Sequence, residues 1–136
     1  GDSARLDSKG RIMLVGRKKN TIVLESGKNV CPEEVENIIE TNMDYAADIV
    51  VYQAALEKKG ASHKLLCAGL YIDDEALRAD RERISADIRK VNSLLPDYKH
   101  IDYVEIAETP YERTSTRKIK RSSLPGQCSG KGIEIL

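Results

Sequence analysis

The spacing of apolar residues changes several times along the chain, and each change predicts an element. Arg11-Ile12-Met13-Leu14-Val15 follows the turn signal Ser8-Lys9-Gly10 and reads as a strand. Thr21-Ile22-Val23-Leu24 is a second β-branched run, close enough to the first to predict a small hairpin between the two. A loop follows at Ser26-Gly27-Lys28-Asn29. Pro32 then fits the first position of a helix, and Glu33 and Glu34 fit its positive end. Val35, Ile38 and Ile39 recur at helical spacing, which carries that helix to about Thr41. The period drops to a strand's at Ala47–Tyr52, and Glu57-Lys58-Lys59-Gly60 is a solvated, hairpin-type connection. Leu65–Ile72 is almost continuously apolar, the pattern of a central strand covered on both faces. Asp73 and Asp74 are placed to cap one long helix. Its apolar stripe is Leu77, Ile84, Ile88, Val91 and Leu95, and Pro96 ends it. Ile101–Ala107 is the last predicted strand. Pro110, a basic loop and a Gly/Ser-rich tail over 122–132 complete the chain.

This order predicts an α+β fold: a small central sheet of about three strands flanked by helices, with an N-terminal two-stranded hairpin. A length of 136 residues suits one domain, and 40% apolar residues supply a core although Trp and Phe are missing. Lys+Arg and Asp+Glu both number 22, so no bulk attraction to nucleic acid or anionic membrane is expected. The charge is segregated, however. Residues 113–121 hold five cations and no acid, which leaves room for a local anion site. Cys31, Cys67 and Cys128 are an odd, widely spaced set, as expected of a reducing, cytoplasmic setting, and Cys67 sits in an apolar run where burial makes a thiol inert. The N-terminus lacks the basic-then-apolar pattern of a signal peptide, and no apolar run approaches the roughly 18 residues of a membrane span. At most peripheral membrane contact is expected. The abrupt start just before a strand is expected of an excised domain.

Lys118 is the residue with the most chemical promise. It stands in Thr114-Ser115-Thr116-Arg117-Lys118-Ile119-Lys120-Arg121, where a mobile point charge on a long stem can meet a phosphate. Gly16-Arg17-Lys18-Lys19 is a similar basic turn behind a strand. Taken singly, either run is an ordinary solvated turn. Gly126-Gln127-Cys128-Ser129-Gly130-Lys131-Gly132 echoes a P-loop, but its spacing is wrong, it ends in Gly and it follows no strand. His63 and His100 have no metal-ligand spacing to any Cys or acid, so no metal site is expected.

Taken together, the runs are far more specific. Gly1-Asp2, Arg5-Leu6-Asp7, Gly10-Arg11-Ile12 and Gly16-Arg17-Lys18-Lys19 resemble the segment where adenylate-forming acyl-CoA synthetases pass from their large N-terminal domain to their small C-terminal lid. Gly27-Lys28-Asn29-Val30 with Pro32-Glu33-Glu34-Val35-Glu36 resembles the next motif of that family. Val91-Asn92, Leu95-Pro96 and Tyr98-Lys99 are similar to the run before its last strand, and 114–121 to its terminal lysine motif. "Lys-Lys-Asn" and "Lys-Ile-Lys-Arg" look most like bacterial long-chain fatty acid–CoA ligases. Two positions depart: Arg117 stands where many relatives have Gly, and Ser26 where many have a second Gly.

The resemblance implies residues 1–18 as the end of the large domain and the hinge approach, 19–121 as the lid, and 122–136 as a polar tail. It implies a two-step ligase. A fatty carboxylate attacks the α-phosphorus of ATP, releasing pyrophosphate; the lid then rotates, and the thiol of coenzyme A attacks the acyl carbon, releasing AMP. Carried over by motif, Lys118 is the adenylation lysine, Asp2 and Arg17 bind the AMP ribose, Lys19 is the hinge, and Gly27 lines the coenzyme A channel. Magnesium ligands, the phosphate-binding loop and the acyl tunnel belong to the family's N-terminal domain, so that domain is the implied partner, with fatty acid, ATP and coenzyme A as ligands. The rival readings are a stand-alone module that uses 113–121 to bind RNA or another polyanion, and a domain that docks a carrier protein. Tyr111 is the one aromatic beside the basic patch, which offers little for base stacking.

Overall fold

The computed structural model describes residues 2–6 and 12–17 by their backbone course, and residues 20–116 and 118–135. Strands β1 (Asp2–Leu6) and β2 (Ile12–Arg17) pair antiparallel as an N-terminal hairpin. Strands β3 (Ile22–Val23) and β4 (Asn29–Val30) form a second, minimal hairpin. The expected pairing of the 11–15 run with the 21–24 run is therefore replaced by two separate hairpins. The cause in the second is a tight reversal: Gly27 takes φ +87°, its amide donates to the Leu24 carbonyl at 2.9 Å, and the Leu24 amide donates to the Lys28 carbonyl at 2.9 Å. A positive φ is open to glycine without penalty, so β3 turns forward onto β4.

Helix α1 (Pro32–Asn42) follows, with Pro32 in its first turn as the sequence predicts. Strands β5 (Asp48–Lys58) and β6 (Ala61–Tyr71) make a long antiparallel hairpin in full register from Asp48↔Tyr71 to Lys58↔Ala61, closed by Lys59-Gly60. The chain then forms α2 (Glu75–Ala79) and α3 (Arg81–Ser93) instead of one long helix. Asp74 caps the first through Ala76 N at 2.9 Å, and Asp80 both ends it and caps the second through Arg83 N at 3.1 Å. A side chain that accepts a backbone N–H starts a helix afresh, so Asp80 divides what the apolar stripe joined. Strand β7 (Tyr103–Ala107) runs parallel to β6, with α2 and α3 as the crossover. A fourth strand, β8 (Ile133–Glu134), comes from the tail and pairs antiparallel with β7. The sheet order is β5-β6-β7-β8, one strand more than expected within the same α+β class.

Both faces of this sheet are covered, and differently. Val35 and Ile39 of α1, Met43 just after it, and Ile84, Ile88 and Val91 of α3 pack with Val51, Ala68, Leu70 and Val104 in the main core. Buried Asn92 fastens α3 to the start of β7: its amide donates to the Ile101 carbonyl at 3.0 Å and accepts from the Ile101 N–H at 2.8 Å. On the opposite face Val50, Tyr52, Ala54, Cys67 and Tyr103 meet Tyr111, Ile119, Leu124 and Cys128. The second layer is thus the basic loop and the tail themselves. That is why β6 is apolar on both sides.

Candidate functional site

After Pro110 the chain forms a small hairpin of its own. Arg113 bridges Ile119, the Thr114 amide donates to the Lys118 carbonyl at 2.7 Å, and the Lys120 amide donates to the Glu112 carbonyl at 2.8 Å. Extended residues alternate faces. Ile119 packs down on the sheet's second face, and Lys118 and Lys120 are correspondingly exposed. Among the described residues the Lys118 ammonium has no hydrogen bond or ion pair.

Two arginines tie this hairpin to the sheet. Arg113 pairs with the carboxylate of Asp48, which is buried at the start of β5 and also accepts the Tyr111 N–H at 3.0 Å. Arg121 donates through Nη2 to Glu36 Oε2 at 2.6 Å and through Nη1 to the Val51 carbonyl at 2.8 Å. The same Glu36 oxygen accepts the Val51 N–H at 2.7 Å. Burial pushes the Glu36 carboxyl above the usual carboxylate range, against the pull of the Val51 amide and the Arg121 charge. Tyr111 lies over Gly69, and burial pushes its hydroxyl up to about 12, with Glu105 and Asp48 adding to the effect.

One helical turn before Glu36, Glu33 Oε1 accepts from Asn20 Nδ2 at 2.9 Å. Burial raises the Glu33 carboxyl, but the bonds from Asn20, its own backbone and Cys31, with the Arg121 charge, outweigh that and hold it below the usual range. The first turns of α1 therefore hold both the chain entering the domain and the foot of the lysine hairpin. At another corner, Lys28 places its ammonium 4.9 Å from the Tyr98 ring centre, beside the exposed Gly27 turn, and Lys99 pairs with Glu34 at 3.4 Å.

The singled-out residues thus fall in three places. Asp2 and Arg17 are direct register partners across β1 and β2. Gly27 sits at the β3–β4 turn, and Lys118 on the exposed side of the third hairpin. Lys19 lies outside the described residues. Among those described, no group of three or more His, Cys, Asp or Glu side chains is placed to hold a metal ion. Among the described residues, no helix is long and apolar enough to cross a membrane.

The domain as a whole has known counterparts. Residues 19–129 match the family described as the AMP-binding enzyme C-terminal domain. The chain belongs to that family. A Mycobacterium tuberculosis protein named as the fatty-acid–CoA ligase fadD11 is 28% identical over 156 aligned positions, which cover 99% of this chain and 27% of the relative. The peroxisomal acyl-CoA ligase 891 of Penicillium roqueforti is 32% identical over 57 residues, covering 42% of this chain and 8% of the relative. The chain thus spans about a quarter or less of these curated relatives. Among solved structures, the A domain of the Segniliparus rugosus carboxylic acid reductase, in complex with AMP and a co-purified carboxylic acid, matches with a TM-score of 0.68 at 20% identity, over 90% of this chain and 20% of that one. Apo MatB from Rhodopseudomonas palustris matches with a TM-score of 0.61 at 20% identity, over 89% and 22%. These structures share the fold of this AMP-binding C-terminal domain.

Sequence reasoning missed Glu36, Asp48, Arg113 and Arg121. In sequence the two arginines belong to one basic run, and Glu36 stands inside the Pro32–Glu36 motif with no mark of its own. An acid opening an otherwise apolar strand, as Asp48 does, was the available signal. Arg113 and Arg121 are paired to carboxylates and Lys120 lies 4.0 Å from Glu112, so three of the run's five cations already face acids, which does not favour a polyanion surface.

Proposed function

We propose that this domain is the lid of an ATP-dependent, AMP-forming ligase that joins long-chain fatty acids to coenzyme A in the cytoplasm, with residues 19–121 as the lid, 1–18 leading from the large domain and 122–136 as a tail. The observation that carries this reading is the exposed, unpartnered Lys118 ammonium on a hairpin whose base is fixed to the sheet. In the first step Lys118 meets the α-phosphate and substrate carboxylate as the acid's oxygen attacks phosphorus and pyrophosphate leaves. A cation held where negative charge gathers contributes on the order of 10²–10³ in rate. Asp2 accepts from the ribose hydroxyls and Arg17 donates to ribose oxygens; their register across one hairpin supports a shared ligand. Lys19 is the hinge about which the lid turns for the second step, in which the coenzyme A thiol attacks the acyl carbon and AMP leaves. The Gly27 turn then lines the pantetheine channel, where the lack of a Cβ permits close approach. Magnesium, if held by ligands of the N-terminal domain, would supply neutralisation of the phosphates; none of the residues named above would ligate it.

The test joins the chain to its N-terminal adenylation domain and assays acyl-CoA formation from ATP and fatty acids. Lys118→Ala is expected to slow adenylation by about 10²–10³-fold, leaving a measurable residue, and to retain thioester formation from supplied acyl-adenylate. A variant equal to wild type, or a protein that activates no acid, sinks the reading.

A further inference from the structure

We propose that Arg113 and Arg121 are positioning residues for Lys118, two guanidinium–carboxylate clamps that fix both feet of the lysine hairpin and so set where its ammonium arrives. The inference rests on Lys118 being the adenylation lysine.

The register makes the case. Arg113 stands opposite Ile119, so the two share a face, and Arg121 lies two residues beyond Ile119 on the same side of the alternation. That face is the one packed on the sheet. The outer face carries Lys118. The two inner arginines end on carboxylates from different elements, Asp48 of β5 and Glu36 of α1, and Arg121 also holds the Val51 carbonyl. Asp48 and Val51 lie about 10 Å apart along one strand, so the hairpin is gripped at two points of a rigid element.

Arginine suits this task because its planar fork makes two directed bonds at once, as Arg121 does, where lysine offers a mobile point charge. The Tyr111 N–H on Asp48 fixes the approach to the first foot. With both feet held, the remaining freedom of the ammonium is that of the Lys118 side chain and the few residues of the turn. With one foot loose, the whole hairpin pivots. Displacing a reacting group by about 1 Å costs on the order of 10²-fold in rate. The clamps do not touch the reactants, so they matter only in the step that uses Lys118.

The experiment uses the ligase containing this chain with its adenylation domain. It compares Arg113→Ala, Arg121→Ala, Arg121→Lys and Lys118→Ala in two assays: ATP-dependent acyl-adenylate formation, and thioester formation from supplied acyl-adenylate. Each arginine-to-alanine change is expected to slow adenylation at least about tenfold through kcat, with KM for ATP moving less than about twofold. Thioester formation is expected to stay within about twofold of wild type. In a Lys118→Ala background neither change is expected to slow adenylation further, and Arg121→Lys should recover only part of the rate. Arg113 is 42% exposed at its side chain, so its alanine variant tests the idea even where Arg121→Ala fails to fold. Unchanged adenylation in folded variants overturns the clamps while leaving Lys118 in its role. Equal slowing of both half-reactions, or losses that multiply with Lys118→Ala, reduces the arginines to general stability and also overturns the proposal. A Lys118→Ala protein that adenylates like wild type removes the reading beneath it.

Discussion

Two glycines in the same tail face opposite fates on gaining one methyl group. A Cβ on Gly132 meets the Val104 carbonyl oxygen at 2.2 Å and the Tyr103 ring at 2.6 Å, whereas a Cβ on Gly126 meets nothing within 4 Å. The first lies about 1 Å inside contact distance, against backbone that a neighbouring rotamer cannot relieve. Gly132→Ala is therefore expected to release the tail from β7, and undocking caps its cost. Ile135, 5% exposed, gives up a burial worth about 1.5–3 kcal/mol. The Ile135 amide loses the Asp102 carbonyl at 2.9 Å, and the Gly132 amide loses the Tyr103 hydroxyl at 2.7 Å, about 1 kcal/mol each. Freed backbone returns roughly 1 kcal/mol per residue over the few residues released, leaving a net loss of about 2 kcal/mol. In a domain of this size that lowers the Tm by about 6–8 °C, measured by thermal unfolding followed by circular dichroism. Hydrogen exchange should show the Ile135 amide losing protection while the β5–β6 amides keep theirs. Gly126→Ala should melt within about 1 °C of wild type. A Gly132→Ala protein that melts within about 2 °C of wild type, or a Gly126→Ala protein that falls as far, refutes the close-approach argument.

Arg121→Ala should cost about 2 kcal/mol in urea unfolding, because it leaves the largely buried Glu36 carboxylate without its cation; a cycle with Glu36→Gln should give a double variant less destabilised than the sum. Lys118→Ala, by contrast, should unfold within about 0.5 kcal/mol of wild type, since the described side chain holds nothing in place; a larger loss contradicts its exposed setting. Burial pushes the Cys67 thiol well above its ordinary range, so iodoacetamide at pH 8 should spare it in the native domain and modify it only after unfolding, as read by mass spectrometry. Glu33 titrates below its ordinary 4.5 through its hydrogen bonds, so its stabilising effect is complete above that pH and fades as pH falls through the folded value. The stability gap between wild type and Asn20→Ala should accordingly be widest near neutrality, at about 0.5–1 kcal/mol, and close in acid.

Periodicity located α1, β5, β6 and β7 because each buries a regular face, and regular burial leaves a regular pattern. It joined α2 to α3 because Leu77 and Ile84 continue one stripe, while the break is made by a single carboxylate, Asp80, turned onto a backbone amide. It missed β8 because two residues, Ile133 and Glu134, are too few to establish a period. Lys118 stands out in a motif, which is local in sequence. The Arg113–Asp48 and Arg121–Glu36 pairs were not, since their partners lie 65 and 85 residues apart and only the folded sheet brings them together.

Strand β5 is an edge of the sheet, and an edge of unpaired amides and carbonyls is a template for another chain. Here the template is filled from within. Glu36 and Arg121 occupy the Val51 amide and carbonyl as a neighbouring strand would, and the Ala55 amide and carbonyl are taken by Gly126 and Cys128 at 3.0 and 2.7 Å. The segment that carries Lys118 thus also covers this edge. Cutting the chain before Arg113 would remove that cover, and β5, an eleven-residue strand, would present a bare edge to every other copy in solution.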